Sequence, residues 1–331
     1  MKTIKISITS IVIAISMCSQ VFAGTYMSEI SGKDISDAIK DQRPVAIMID
    51  NEKQALPHYG VSEADIVYEM INSTANDHIT RLMCLYKDWG NIPRIGSVRS
   101  VRPTHIPLAG EYDAMLIHEG GPELYIKEPL SKGYVGDLNG GFSRLQNGKS
   151  KEFTEFVLEG EVVSHAKKAN VPTKYTRTLE RNTHFRYYKA DNKLSEKYTR
   201  VKTANSINLS SAFKHTKSHL EYNDVTDTYD YYVYDFLQKD EEDNATITFK
   251  NVIVQFAPAY QLDENGYMYY EVEGSGKGYY FTNGERISIK WQKDSPLGIT
   301  KYYDKMGNEI DLNKGNTYIA IIPDSYGIGI K

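Results

Sequence analysis

The sequence predicts an α+β or α/β protein, with a mixed N-terminal α/β domain followed by a smaller, antiparallel β-rich C-terminal domain. Three observations carry this. The first half holds short apolar runs, at 43–50, 64–70, 79–86 and 114–118, set between polar stretches with helix signals. The second half is punctuated by Asn265-Gly266, Asn283-Gly284 and Gly307-Asn308 between aromatic and β-branched runs, as hairpins are. And 331 residues suffice for two domains.

Residues 1–23 read as a cleavable signal peptide. Lys2 and Lys5 make a basic start, residues 6–17 are mostly apolar, and Val21-Phe22-Ala23 presents small or apolar residues for cleavage before Gly24. The run is shorter than the roughly 20 apolar residues a helix needs to span a bilayer core. Ile15-Ser16-Met17-Cys18 offers a rival cut, similar to a lipoprotein box in which Cys18 would be lipidated, although Met17 stands where a small residue is usual. The expected location is extracytoplasmic, either secreted or lipid-anchored at the outer face of the cytoplasmic membrane, with contact to membrane only through such an anchor.

Residues 24–42 read as a polar leader with a short helix over 34–40. The N-terminal domain is assigned to 43–200 and the C-terminal domain to 201–331. Within the first, 72–77 is turn-like between strands, Pro103 suggests a helix start, and helical stretches are expected near 153–157 and 194–198. Tyr229, Tyr231, Tyr232 and Tyr234 nearly alternate, which favours a strand. Gly274-Ser-Gly-Lys-Gly278 lacks the spacing of a phosphate loop and reads as a bend or bulge.

Charge excludes one class of partner. The formal net charge of −4 becomes −6 once Lys2 and Lys5 leave with the leader, the opposite of a general nucleic-acid binder. The two cysteines are Cys18 and Cys84. The mature chain therefore cannot close a disulfide on itself, and Cys84, inside Leu82-Met83-Cys84-Leu85-Tyr86, reads as a small buried hydrophobe. No metal site or cofactor is expected. His215 and His219 lack a third ligand, and no Gly-x-Ser-x-Gly elbow occurs.

Two clusters could carry chemistry. Arg94-Ile-Gly-Ser-Val-Arg-Ser-Val-Arg-Pro103 places Arg94, Ser97, Arg99, Ser100 and Arg102 just before an expected helix N-terminus, a setting that attracts anions. Guanidinium forks suit carboxylate or phosphate, and Arg81 could join from its strand. The alternative is that these arginines pair with Glu69, Asp113 and other acids to hold the domain together. His118-Glu119-Gly120-Gly121 closes an apolar strand, where ligands of open α/β sheets bind. Gly120 and Gly121 would allow close approach, and His118 with Glu69 or Glu119 could act as acid and base.

The stretches Arg43 through Asn51, Ala64 through Glu69, Thr80-Arg81, Ile95 through Pro103 and Asp113 through Gly121 resemble the N-terminal half of the YerB-like lipoproteins. Asn251 through Phe256, Gly274 through Gly278, Gly284 through Lys293, and Tyr303 to Tyr318 resemble the C-terminal half. The likeness covers most of 43–323. The family's Arg-x-Pro-His-Asn-like stretch corresponds at best to Arg181-Asn182-Thr183-His184-Phe185. The resemblance implies an exported bacterial protein, often lipid-anchored, without an established reaction. Three functions are open. One is binding of an anionic envelope ligand through Arg81, Arg94, Arg99 and Arg102. The others are an envelope hydrolase or transferase, and docking of an envelope protein on the tyrosine-rich C-terminal domain.

Overall fold

The computed structural model describes residues 24–177 and 184–331. The leader at 1–23 with Cys18, and the Arg181-Asn182-Thr183 part of the family stretch, lie outside the described residues.

An eleven-stranded sheet organises the chain. Its strands are β1 (Val45–Asp50), β2 (Ile66–Ile71), β3 (Thr80–Tyr86), β4 (Met115–His118), β5 (Gly136–Asn139), β6 (Lys202–Thr203), β7 (Asn251–Ala257), β8 (Gly274–Thr282), β9 (Glu285–Lys293), β10 (Lys301–Tyr303) and β11 (Thr317–Pro323). The spatial order is β6-β9-β8-β7-β11-β2-β3-β1-β4-β5, with β10 on β9. Every residue of β1, β2, β3 and β11 is buried. Such runs are apolar on both faces because both faces of the central sheet are covered.

The last long strand joins the two halves. β11 runs parallel to β7 along Asn251 to Ala257 and, on its other edge, parallel to β2 along Ile66 to Glu69. Residues of both halves then share one hydrophobic core. A fully buried ion pair also crosses between them: Lys293 Nζ lies 2.7 Å from Glu111 Oε2.

Strands dominate the described residues. The helices are short: α1 (His105–Gly110), α2 (Glu123–Ser131), α3 (Glu161–Lys168) and one-turn segments. A second sheet of six short strands includes His219–Asn223 and Thr228–Val233, with Tyr229 and Tyr231 inward. A three-stranded sheet joins Arg94–Gly96, Glu155–Leu158 and Ser143–Arg144.

Several local expectations change. The stretch expected to be helical near 153–157 is a 3-10 turn, Lys151–Phe153, then the strand Glu155–Leu158, because pairing to Arg94–Gly96 outweighs local propensity. The helix expected over 34–40 shrinks to a 3-10 turn, Asp37–Ile39, after a strand, Asp34–Ser36, that pairs with Thr25–Met27. Residues 24–42 are tied to the body: buried Glu29 meets Lys87 Nζ at 2.8 Å. The glycine-rich 274–278 is no bulge but the unbroken start of β8, in register with β9. A Cβ at Gly276 would stand 2.5 Å from Trp291 Nε1, and one at Gly278 2.5 Å from the Val254 carbonyl oxygen.

Candidate functional site

The expected cluster of arginines is dispersed, and part of it lines a cleft. Asp50 and Arg81 face each other across β1 and β3. The segment after Arg94–Gly96 runs alongside the end of β1, where the Asp50 amide donates to the Ser97 carbonyl and the Arg99 amide to that of Met48. Arg99 is thereby set beside Asp50, Nε to Oδ2 at 2.7 Å, and reaches Glu152 on the Lys151–Phe153 turn at 2.8 Å. The C-terminal half adds His215, whose Nε2 lies 3.1 Å from Glu52 Oε2. Asp50, Glu52, Gln54, Asp77, Ile79, Arg81, Arg99, Glu152, Phe153 and His215 enclose about 550 Å³.

Arg81 is the unusual member. It is 4% exposed, its nearest carboxylate oxygen is 3.7 Å away on Asp50, and its Nε and Nη1 have no hydrogen-bond partner among the described residues. Burial lowers its pKa from the usual arginine range; Asp50 opposes that shift and Arg99 adds to it. Four carboxylates against two arginines make the walls acidic on balance, so the cleft does not suit a bare anion.

The other expected ligands go elsewhere. Arg94 lies across the Tyr59 ring, 4.1 Å from its centroid, and pairs with Glu242 at 2.8 Å. Arg102 is buried, donates to the carbonyls of Asn72 and Val101, and covers the Tyr267 ring at 4.5 Å. No carboxylate pairs with it among the described residues, and burial, aided by Arg81, pushes its pKa down to about 9. Ser100 Oγ donates to the Glu119 carbonyl, and Ser97 is buried. The helix after Pro103 spans six residues, and the Arg102 amide that would face an anion is spent on His105 Nδ1 at 3.0 Å. No anion site forms at that helix start, because local bonds already occupy its donors.

Nor do the acid–base candidates meet. His118 is fully buried at the end of β4, with Nδ1 2.7 Å from the Gly120 carbonyl oxygen and Nε2 2.9 Å from Asp137 Oδ1. Glu69 has its own closed setting. Its Oε1 accepts from Asn51, Thr80 and Ser218, and its Oε2 from Tyr231 and Tyr318 at 2.7 and 2.6 Å. With the Thr216 hydroxyl, 3.4 Å from Oε1, six neutral donors from both halves serve one buried carboxylate, a structural junction. Glu119 shares Arg144 with buried Glu155, at 2.5 and 2.6 Å from Nη2. Burial first, and then Glu119, push the Glu155 carboxyl up to about 7. Gly120 takes φ +68°, a left-handed conformation glycine adopts without strain, and its amide donates to Asn139; Gly121 follows it in the same turn. His215 and His219 are not on a helix: the first lines the cleft, the second opens the strand His219–Asn223 and stacks on Tyr232. Cys84 is fully buried, and burial pushes its thiol pKa up.

Sequence reasoning found Arg81 and Arg99 but missed Asp50, Glu52, Asp77, Glu152 and His215 as their companions. Asp50-Asn51 closing an apolar strand was a visible signal for the first two. Glu152 and His215 are brought in by tertiary pairing and left no local mark.

The comparisons with known proteins agree on kinship. The model described as Protein of unknown function (DUF3048) N-terminal domain matches residues 30–205, and that of the DUF3048 C-terminal domain matches 207–319. The chain is 23% identical over 301 residues to a Bacillus subtilis (strain 168) protein named "Putative lipoprotein YerB", covering 89% of this chain and 86% of that one. It is also similar in fold to the crystal structure of the YerB protein from Bacillus subtilis, with a TM-score of 0.78 and 19% identity, over 92% of this chain and 99% of that chain. With both domains matched in order along most of its length, the chain belongs to the DUF3048 family of YerB-like proteins.

Proposed function

We propose that this is an exported envelope protein that binds a small ligand in the cleft at the ends of β1 and β3, with Arg81 holding the ligand's anionic group. The basic and apolar leader supports export, and the name of the Bacillus relative supports a lipid anchor at Cys18. One observation carries the binding reading: a buried guanidinium with two unspent donors lines an open cleft. Each buried donor left unpaired costs about 1–3 kcal/mol, a cost recovered if the guanidinium shifts towards a carboxylate or phosphate oxygen bound in the cleft. The acidic majority on the walls calls for a second, cationic or hydroxyl-rich end. A zwitterion such as an amino acid or short peptide meets both demands.

Catalysis has weaker support. Glu69, Glu119 and His118 are each engaged by different protein groups, and no two of them form an acid–base pair.

The test is thermal unfolding of the full mature chain with alanyl-alanine, acetate or phosphate. A ligand at ten times its Kd adds about 1.4 kcal/mol of stability. The dipeptide is expected to raise Tm where acetate and phosphate do not, and Arg81→Met is expected to remove that rise. Arg81→Met should fold, since it removes a poorly paired buried charge. An equal rise in Arg81→Met, or none in the wild type, would refute the proposal.

A further inference from the structure

On the opposite part of the large sheet, β7, β8 and β9 present a groove of about 940 Å³ lined by Phe256, Tyr279, Tyr326 and three lysines. The register there is electrostatically unfavourable. Lys277 and Lys290 stand directly opposite each other on neighbouring antiparallel strands, both exposed, and Lys305 joins them at the groove. Like charges in that position destabilise a sheet. Among the described residues none of the three has an ion-pair partner, and Asp324 is the one acid in the lining. Along the same face Arg286, two residues from Ser288 and four from Lys290, covers the Tyr279 ring at 5.1 Å, with Lys202 opposite it on β6. A chain of net charge −4 thus gathers five cations along this face, one of them over an aromatic ring.

We infer that this face binds an extended polyanionic polymer, with phosphate groups repeated along a sugar or polyol backbone. The lysines would take the charges, and Phe256, Tyr279 and Tyr326 the apolar faces between them. Two rival occupants fit less well. A peptide cannot add as a strand, because β8 is already paired on both edges. A membrane surface would want protruding apolar side chains, whereas Phe256, Tyr279 and Tyr326 are half-buried in a recess.

The experiment measures binding of the full mature chain to long-chain inorganic polyphosphate across a salt series, with poly-L-glutamate and phosphatidylglycerol vesicles as the other arms. Lys277→Gln with Lys290→Gln is expected to weaken polyphosphate binding about tenfold or more and to flatten the slope of log K against log salt by about 1.5. The same pair should leave the unfolding midpoint level or raised, because it relieves a cross-strand repulsion. Arg81→Met should bind as the wild type does, which separates this site from the β1–β3 cleft. The inference falls if the control pair Lys167→Gln with Lys168→Gln, on α3, weakens binding equally. It falls too if poly-L-glutamate or the vesicles bind more tightly than polyphosphate, or if the lysine pair changes nothing.

Discussion

The Glu111–Lys293 pair offers a quantitative test of how the halves are joined. Both side chains are fully buried and 2.7 Å apart, one just after α1 and the other at the end of β9. Their surroundings are unequal. Glu111 keeps the Thr300 amide at 3.2 Å, the Thr300 hydroxyl at 2.7 Å and the Tyr68 hydroxyl at 3.3 Å, whereas Lys293 otherwise donates to the Gly298 carbonyl. Removing one member of a buried pair costs about 3–5 kcal/mol, because the other charge stays behind unpaired. Glu111→Gln, which strands the ammonium, should fall at the upper end. Lys293→Met, which leaves a carboxylate with three neutral donors, should fall at the lower end. The double variant should recover to within about 1–2 kcal/mol of the wild type, since no unpaired charge remains and the glutamine oxygen can still accept from Thr300. Urea unfolding followed by fluorescence reads this out well, with buried Trp89 in the first half and buried Trp291 on β9. Single-tryptophan variants at each position should report one shared midpoint that moves without a change of slope. A double variant as unstable as the sum of the singles would refute the account, and so would two separate midpoints.

Two further outcomes follow. Because the Glu155 carboxyl is raised from its usual range to about 7, the folded state favours its protonated form. Its contribution is full below about pH 4.5 and declines as pH rises towards 7, so Glu155→Gln should flatten the pH dependence of stability across that window; an unchanged profile would count against a carboxyl raised by burial and by Glu119. Gly276→Ala should cost about 1–3 kcal/mol by displacing the Trp291 indole, which donates to the Phe256 carbonyl at 2.8 Å. Unfolding with a red-shifted Trp291 emission checks it.

The strands were legible where apolar runs are unbroken, as in Val45–Asp50, Thr80–Tyr86 and Asn251–Ala257. So was the hairpin at Asn283-Gly284, whose positive φ values are those its residues favour. Sheet order was not legible, because the pairing of Thr317 with Ile66 leaves no local trace. The arginine cluster shows the limit for sites. Periodicity reveals a basic segment, but whether Arg94 meets Glu242 or Arg99 meets Asp50 depends on distant segments arriving beside it. Arg81 became informative only once its partners were seen to be too few.

The placement of β11 bears on how such a protein is made. Its two neighbours, β2 and β7, are translated long before Thr317–Pro323, and each must hold an edge open until that segment arrives. A chain emerging N-terminus first during synthesis would leave those two apolar edges unpaired until then, a state prone to aggregation. Synthesis halted before Thr317 should therefore yield a polypeptide with a slot through the middle of its sheet rather than a folded first half. A segment supplied in trans could fill that slot, which makes the stretch before β11 a natural place to split the molecule into two complementing pieces.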